Sequence, residues 1–208
     1  MTKRWPWWLV VAGGVIMASL WPVYISLHGP TSFDLGGRFL GRDTLFWGAM
    51  MEGPPSLLIA AGLLALLPGA WVALGRAARV GYVLVLVSLV LPGVTDLVIV
   101  AIVPPLLYPV EAVGLALLGG AGRRLHPLTR IVFGVMAVLL AATMLQLFLS
   151  MEQFDALEAY RTHGLMAHVA VGIGWAVAGI TEVLRPLDRT DSAAAATAAD
   201  ATPERHRS

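Results

Sequence analysis

Apolar runs about 20 residues long, separated by short arginine-bearing patches, recur along the chain as far as Arg185. A helix needs ~20 apolar residues to cross the ~30 Å hydrocarbon core of a bilayer, so this pattern restricts the fold more than any other feature. Backbone polar groups in lipid must be satisfied within the protein, and runs of this length do so as helices. The composition agrees: 13% of residues are charged and 58% hydrophobic, whereas soluble domains carry roughly 25% charged residues. The expected fold class is all-α, a polytopic integral membrane protein with a six-transmembrane-helix bundle. The spans are expected at about 7–27, 56–75, 80–103, 105–121, 129–150 and 164–184, in one domain over residues 1–185.

Positive charge orients such a bundle. Lys3, Arg4, Arg76, Arg79, Arg123, Arg124, Arg130, Arg185 and Arg189 fall on one side of these spans, and Arg38, Arg42 and Arg161 on the other. The positive-inside rule therefore predicts a multi-pass protein of the cell membrane with both termini cytoplasmic. The basic start and apolar run of MTKRWPWWLVVAGGVIMASLW resemble a signal sequence, but no small-x-small site follows, so an uncleaved first span is expected. Residues 186–208 are polar, alanine-rich and without aromatics, and are expected to form a disordered cytoplasmic tail. In the outer loop, residues 28–55, DTLFWGAMME carries a helix start at Asp43 and an apolar cluster before Gly53-Pro54-Pro55. That predicts a short interfacial helix at 43–52, with a re-entrant half-helix as the alternative.

Composition also excludes. The chain has no cysteine, which removes disulfides, thiol nucleophiles and Cys-based metal sites. A net charge of +1 with arginines in scattered pairs leaves no nucleic-acid face. One lysine against thirteen arginines, with abundant Ala and Gly, suggests a GC-rich bacterial genome. No G-x-S-x-G, H-E-x-x-H, G-x-x-x-x-G-K or G-x-G-x-x-G pattern occurs, so the reading leans away from an enzyme without deciding it, and no cofactor is expected.

The stretch LPGVTDLVIVAIVPPLLYPVEAVG, residues 91–114, places Asp96 and Glu111 among four prolines in an apolar region. Two registers fit it. Either the outer turn lies near Pro104-Pro105 and Pro92-Gly93 is a kink within the third span, or Pro92-Gly93 is itself the turn. The second leaves a third span of about 13 residues, ~20 Å, too short for the core. A weak repeat also favours the first, because PPSLLIAAGLLALLPG and PPLLYPVEAVGLALLGG suggest that each proline pair opens a helix. In either register one carboxylate is submerged, and an Asp at mid-bilayer costs roughly 2.5–3.5 kcal/mol on insertion scales. Asp96 is thus either a structural group, bonded to carbonyls freed at Pro92 or to Thr95, or part of a proton or cation site with Glu111. The structural role is favoured from sequence alone.

Other polar residues carry less. His28, His163 and His168 are weak metal candidates near outer carboxylates, but His163 and His168 do not share a helix face. Their placement makes no metal the expectation. Glu182 and Arg185, three apart, read as an interfacial ion pair. Gly172 with Ala176 and Gly174 with Ala178 form small-xxx-small steps for close helix packing, within the bundle or against another subunit. The leading functional expectation is a small permease or the membrane subunit of a transporter, using Asp96 and Glu111 as an intramembrane polar site. The alternative is a noncatalytic accessory or scaffold protein that packs against a membrane partner or a second copy. A membrane enzyme with an outer His/carboxylate site comes third. The bilayer itself is the one partner every reading requires.

Overall fold

The computed structural model describes residues 4–28, 38–99, 107–150 and 164–185. Its elements are α1 (Trp5–His28), a hairpin of β1 (Arg38–Phe39) and β2 (Arg42–Asp43), α2 (Thr44–Ala73), α3 (Arg76–Ile99), α4 (Tyr108–Ala121), α5 (Pro127–Ser150), and a π-helical segment (Gly164–Ala170) that continues into α6 (Val171–Leu184). The strands pair antiparallel, Arg38 opposite Asp43. Leu40 and Gly41, both at positive φ, make the turn between them, the backbone that a two-residue hairpin loop needs.

Five of these helices are long and apolar enough to cross a membrane: Trp5–Val23, Phe46–Ala73, Arg76–Val98, Pro127–Leu149 and Gly164–Leu184. The sixth, α4, has 14 residues, or ~21 Å of helix, less than the ~30 Å core. A multi-pass membrane bundle is compatible with this set.

Two expectations about α2 are corrected. The chain does not form a separate helix at 43–52 that ends at Gly53-Pro54-Pro55, and Pro54-Pro55 does not open a helix. One helix of 30 residues runs through both prolines and through Pro68. Each proline removes only the bond to the carbonyl four residues earlier, here Met50, Met51 and Leu64. Tertiary contact holds the backbone in place: a side chain at Gly53 would meet the Gly93 carbonyl and Leu97 of α3. Likewise α3 runs through Pro92 and Gly93 to Ile99, so the chain does not turn there. The turn expected near Pro104-Pro105 and the tail at 186–208 lie outside the described residues.

Each helix packs on its neighbours in sequence, from α1·α2 through α5·α6, and α6 returns to pack on α1. The six therefore form a closed ring. Lipid is as apolar as leucine, so close contact rather than hydrophobic exclusion has to hold such helices together. Glycines provide it. A Cβ on Gly14 would come within 2.6 Å of Gly172 O and Ala176 N, one on Gly81 within 2.6 Å of Gly114 O, and one on Gly119 within 2.8 Å of Arg130 O. These contacts join α1 to α6, α3 to α4 and α4 to α5.

Every helix sends one stripe of residues toward the ring axis, at the three- and four-residue spacing of a single helical face. On α1 it is Val10, Met17 and Trp21; on α2, Ile59 and Leu63; on α3, Tyr82, Val85 and Leu89; on α4, Leu115 and Leu118; on α5, Phe133, Met136 and Leu140; on α6, Val171, Trp175 and Ala178, all buried. Trp175 and Phe133 meet edge to face at 5.4 Å. The Tyr82 hydroxyl donates to the Leu63 carbonyl, joining α3 to α2.

The two ends of the ring differ. One carries Arg4, Arg76, Arg79, Arg123, Arg124, Arg130 and Arg185. There the Arg130 guanidinium donates to Gly119 O (2.8 Å) and Gly120 O (3.1 Å), satisfying last-turn carbonyls of α4. Arg185 donates to Arg124 O at 2.6 Å, and Arg4 to Arg185 O at 3.4 Å. Glu182 accepts the His126 N–H at 2.7 Å, at the start of α5, and pairs with Arg185 at 3.7 Å. The opposite end, which bears the hairpin, holds the polar interior.

Candidate functional site

Near the hairpin end the inward stripes change from apolar to polar. On α2 the stripe continues from Ile59 to Ser56 and Glu52; on α3, from Val85 to Ser88, Pro92 and Asp96; on α4, from Leu115 to Glu111 and Tyr108. Glu52 lies eight residues, ~12 Å, along α2 from its start at Thr44. Glu111 stands in the first turn of α4, where the helix dipole favours an acidic side chain.

These stripes meet around a cavity on the ring axis, walled by Glu52, Ser56, Ser88, Tyr108, Glu111 and His168, with Met17, Leu140 and Val171 among its apolar contacts. All six helical units contribute to it. Measured on water-centre positions the cavity is about 20 Å³, above the ~10–15 Å³ that one water requires. Next toward the arginine end come Ile59, Val85, Leu115, Met136 and Trp175, which are all almost fully buried. That layer closes the floor.

Asp96 is 0% exposed. It stands off the cavity wall, close enough to Glu52 for the two charges to act on each other, and Glu111 acts on Glu52 as well. Pro92, one turn before Asp96, has no N–H to give the Ser88 carbonyl, and the Ser88 hydroxyl donates to Val85 O at 2.9 Å. The Thr95 hydroxyl donates to Leu91 O at 2.7 Å. Its proton is therefore spent within its own helix.

Glu111 is 6% exposed, and its Oε1 has no hydrogen-bond partner among the described residues. From α6 the indole N–H of Trp175 approaches this carboxyl without closing a hydrogen bond of good geometry. His168 is buried in the π-helical segment and stacks on Trp21 of α1, centroids 5.6 Å apart. Segments with π-helical pairing are rare and recur at functional sites.

Of the residues singled out from sequence, Asp96 and Glu111 come together around Glu52. Among the described residues no three His, Asp or Glu side chains stand where they could share an ion. His163 and the side chain of His28 lie outside the described residues. Gly172 faces Gly14 and Ala18 of α1, and Gly174 faces Met136 of α5. Ala176 and Ala178 are buried in the same helix. This small-residue face is used inside the bundle.

Glu52 was not singled out from sequence, nor were Ser56, Ser88 and Tyr108. A signal existed in the helical spacing of Glu52 with Ser56, of Ser88 with Pro92 and Asp96, and of Tyr108 with Glu111. It was hidden because Gly53-Pro54-Pro55 read as a break that put Glu52 at the end of a short interfacial helix outside the bundle.

No protein-family model matches the chain, and no curated protein or solved structure matches it.

Proposed function

We propose that this chain is a small permease, or the membrane subunit of a transporter, with six crossings that include α4. The observation that carries this reading is the axial cavity, onto which three helices bring the carboxyls of Glu52 and Glu111 with Asp96 behind. Ionisable groups inside a membrane are costly and commonly mark ion or substrate paths. Three negative charges in one sheltered site repel one another, so the cluster calls for compensating protons or a cation. The positive-inside rule puts the arginine end in the cytoplasm, and the cavity then faces the outer side with its cytoplasmic floor closed. Transporters often build their sites beside interrupted helices; here α2 and α3 run on without a break but carry prolines beside the acids.

The accessory-protein reading has less support, because Gly172, Gly174, Ala176 and Ala178 are occupied within the bundle. Reconstitution tests the transport reading. Ion flux into proteoliposomes under an imposed potential, followed with potential- and pH-sensitive dyes, is expected to exceed that of empty vesicles. It is expected to fall by about tenfold or more in Asp96→Asn and Glu111→Gln variants that still elute as single species. Equal flux in wild type and both variants sinks the reading.

A further inference from the structure

The cavity wall narrows the choice of ligand. At about 20 Å³ the cavity has room for a water and not for an organic solute. A metal ion held by several acids is also disfavoured, since no three described His, Asp or Glu side chains stand in metal-sharing positions. What the wall does offer is two carboxyls, Glu52 and Glu111, the hydroxyls of Ser56, Ser88 and Tyr108, and the imidazole of His168. The Oε1 atom of Glu111 is buried and unpartnered, on the residue that lines the space.

We propose that the species exchanged at this cavity is the proton, with Glu52 and Glu111 as the paired carboxyls that take it from, and return it to, a water held between the hydroxyls. The inference rests on the transport reading above. In each step a carboxylate oxygen forms an O–H bond as a hydronium O–H breaks, leaving a neutral acid and water; release is the reverse, with no redox partner. Asp96, fully buried on α3, stands behind Glu52 and off the cavity wall. The groups facing the pair are Asp96 from α3, Tyr108 from α4, His168 from the π-helical segment and the Trp175 N–H from α6. α1 and α5 contribute Met17 and Leu140, so no other described titratable group lines the cavity. Both acids stand on the wall of one small cavity, and acids that interact across such a space titrate as a coupled pair, the form suited to holding one proton while exchanging another.

Infrared difference titration of the purified full chain in detergent tests this directly, because the protonated-carboxyl stretch is read without any transported solute. Against the background of the chain's other acids, thirteen Asp and Glu in all, wild type is expected to show two titrating carboxyls that belong to the pair. Glu52→Gln and Glu111→Gln each lose one, and the survivor titrates at a shifted pH; Glu52→Asp and Glu111→Asp restore two. Glu182→Gln, at the arginine end, leaves both in place. Titration curves unaltered by either Gln substitution overturn the proton assignment and leave transport of an uncoupled solute standing. Curves displaced by sodium at fixed pH overturn it in favour of a metal cation. Curves that behave as expected, with no proton flux in liposomes, overturn the transport reading on which the exchange role rests.

Discussion

Gly14 and Gly69 are both helical glycines, and their surroundings assign them opposite sensitivities. A Cβ on Gly14 would stand 2.6 Å from the Ala176 nitrogen and the Gly172 carbonyl, backbone atoms that cannot swing aside as a side chain end can. A Cβ on Gly69 would meet nothing within 4 Å. Gly14→Ala therefore forces α1 away from α6 and is expected to destabilise by about 1–3 kcal/mol, as overpacking does. Gly69→Ala is expected to be neutral or to stabilise by up to about 1 kcal/mol, through helix propensity alone. Thermal unfolding of both variants in one detergent checks the pair, and equal effects would show that the α1–α6 contact is looser than its geometry indicates. The same logic places Glu111 among the sensitive positions. It is 6% exposed, and its unpartnered Oε1 has only the small cavity to turn to.

The elements were legible from sequence to the extent that hydropathy alone determines them. Apolar length located the long helices, and small-residue spacing located the face of α6 that meets α1 and α5. Proline misled at α2, because a local rule treats Pro54-Pro55 as a break, whereas the helix continues once Gly53 seats against Gly93. That contact joins residues forty apart in sequence, so no local pattern could reveal it. The same error concealed Glu52, while Asp96 and Glu111 were visible as charges inside apolar runs. In α3 the proline is more than tolerated. Pro92 leaves the Ser88 carbonyl without its intrahelical donor at the cavity wall, one turn from Asp96. Pro92→Ala returns that donor, and the expected protein unfolds at a higher temperature but carries less ion flux in the reconstituted assay. Unchanged flux with raised stability would mean that the freed carbonyl contributes nothing to the site.

At the scale of the molecule, the ring is polar toward its hairpin end, apolar at mid-depth and ringed with arginine at the other end. This asymmetry gives the bundle a direction, because the acids all lie on one side of a closed apolar layer. The seal consists of side chains from five helices, Ile59, Val85, Leu115, Met136 and Trp175, so opening it requires helices to move relative to one another rather than one side chain to rotate. Which compartment the cavity faces depends on an even number of crossings, and hence on whether the 14-residue α4 spans with its neighbours. The cysteine-free chain permits a direct measurement. Leu40, 76% exposed in the hairpin turn, and Arg123, exposed between α4 and α5, lie at opposite ends of the ring. With six crossings and the arginine end inside, Leu40→Cys reacts with a membrane-impermeant maleimide on intact cells, and Arg123→Cys reacts only after permeabilisation. Labelling of both positions from one side would mean that the intervening helices do not carry the chain across as the ring requires. Labelling in the reverse sense would keep the ring but turn the acids toward the cytoplasm, so that the proton would be taken up from inside.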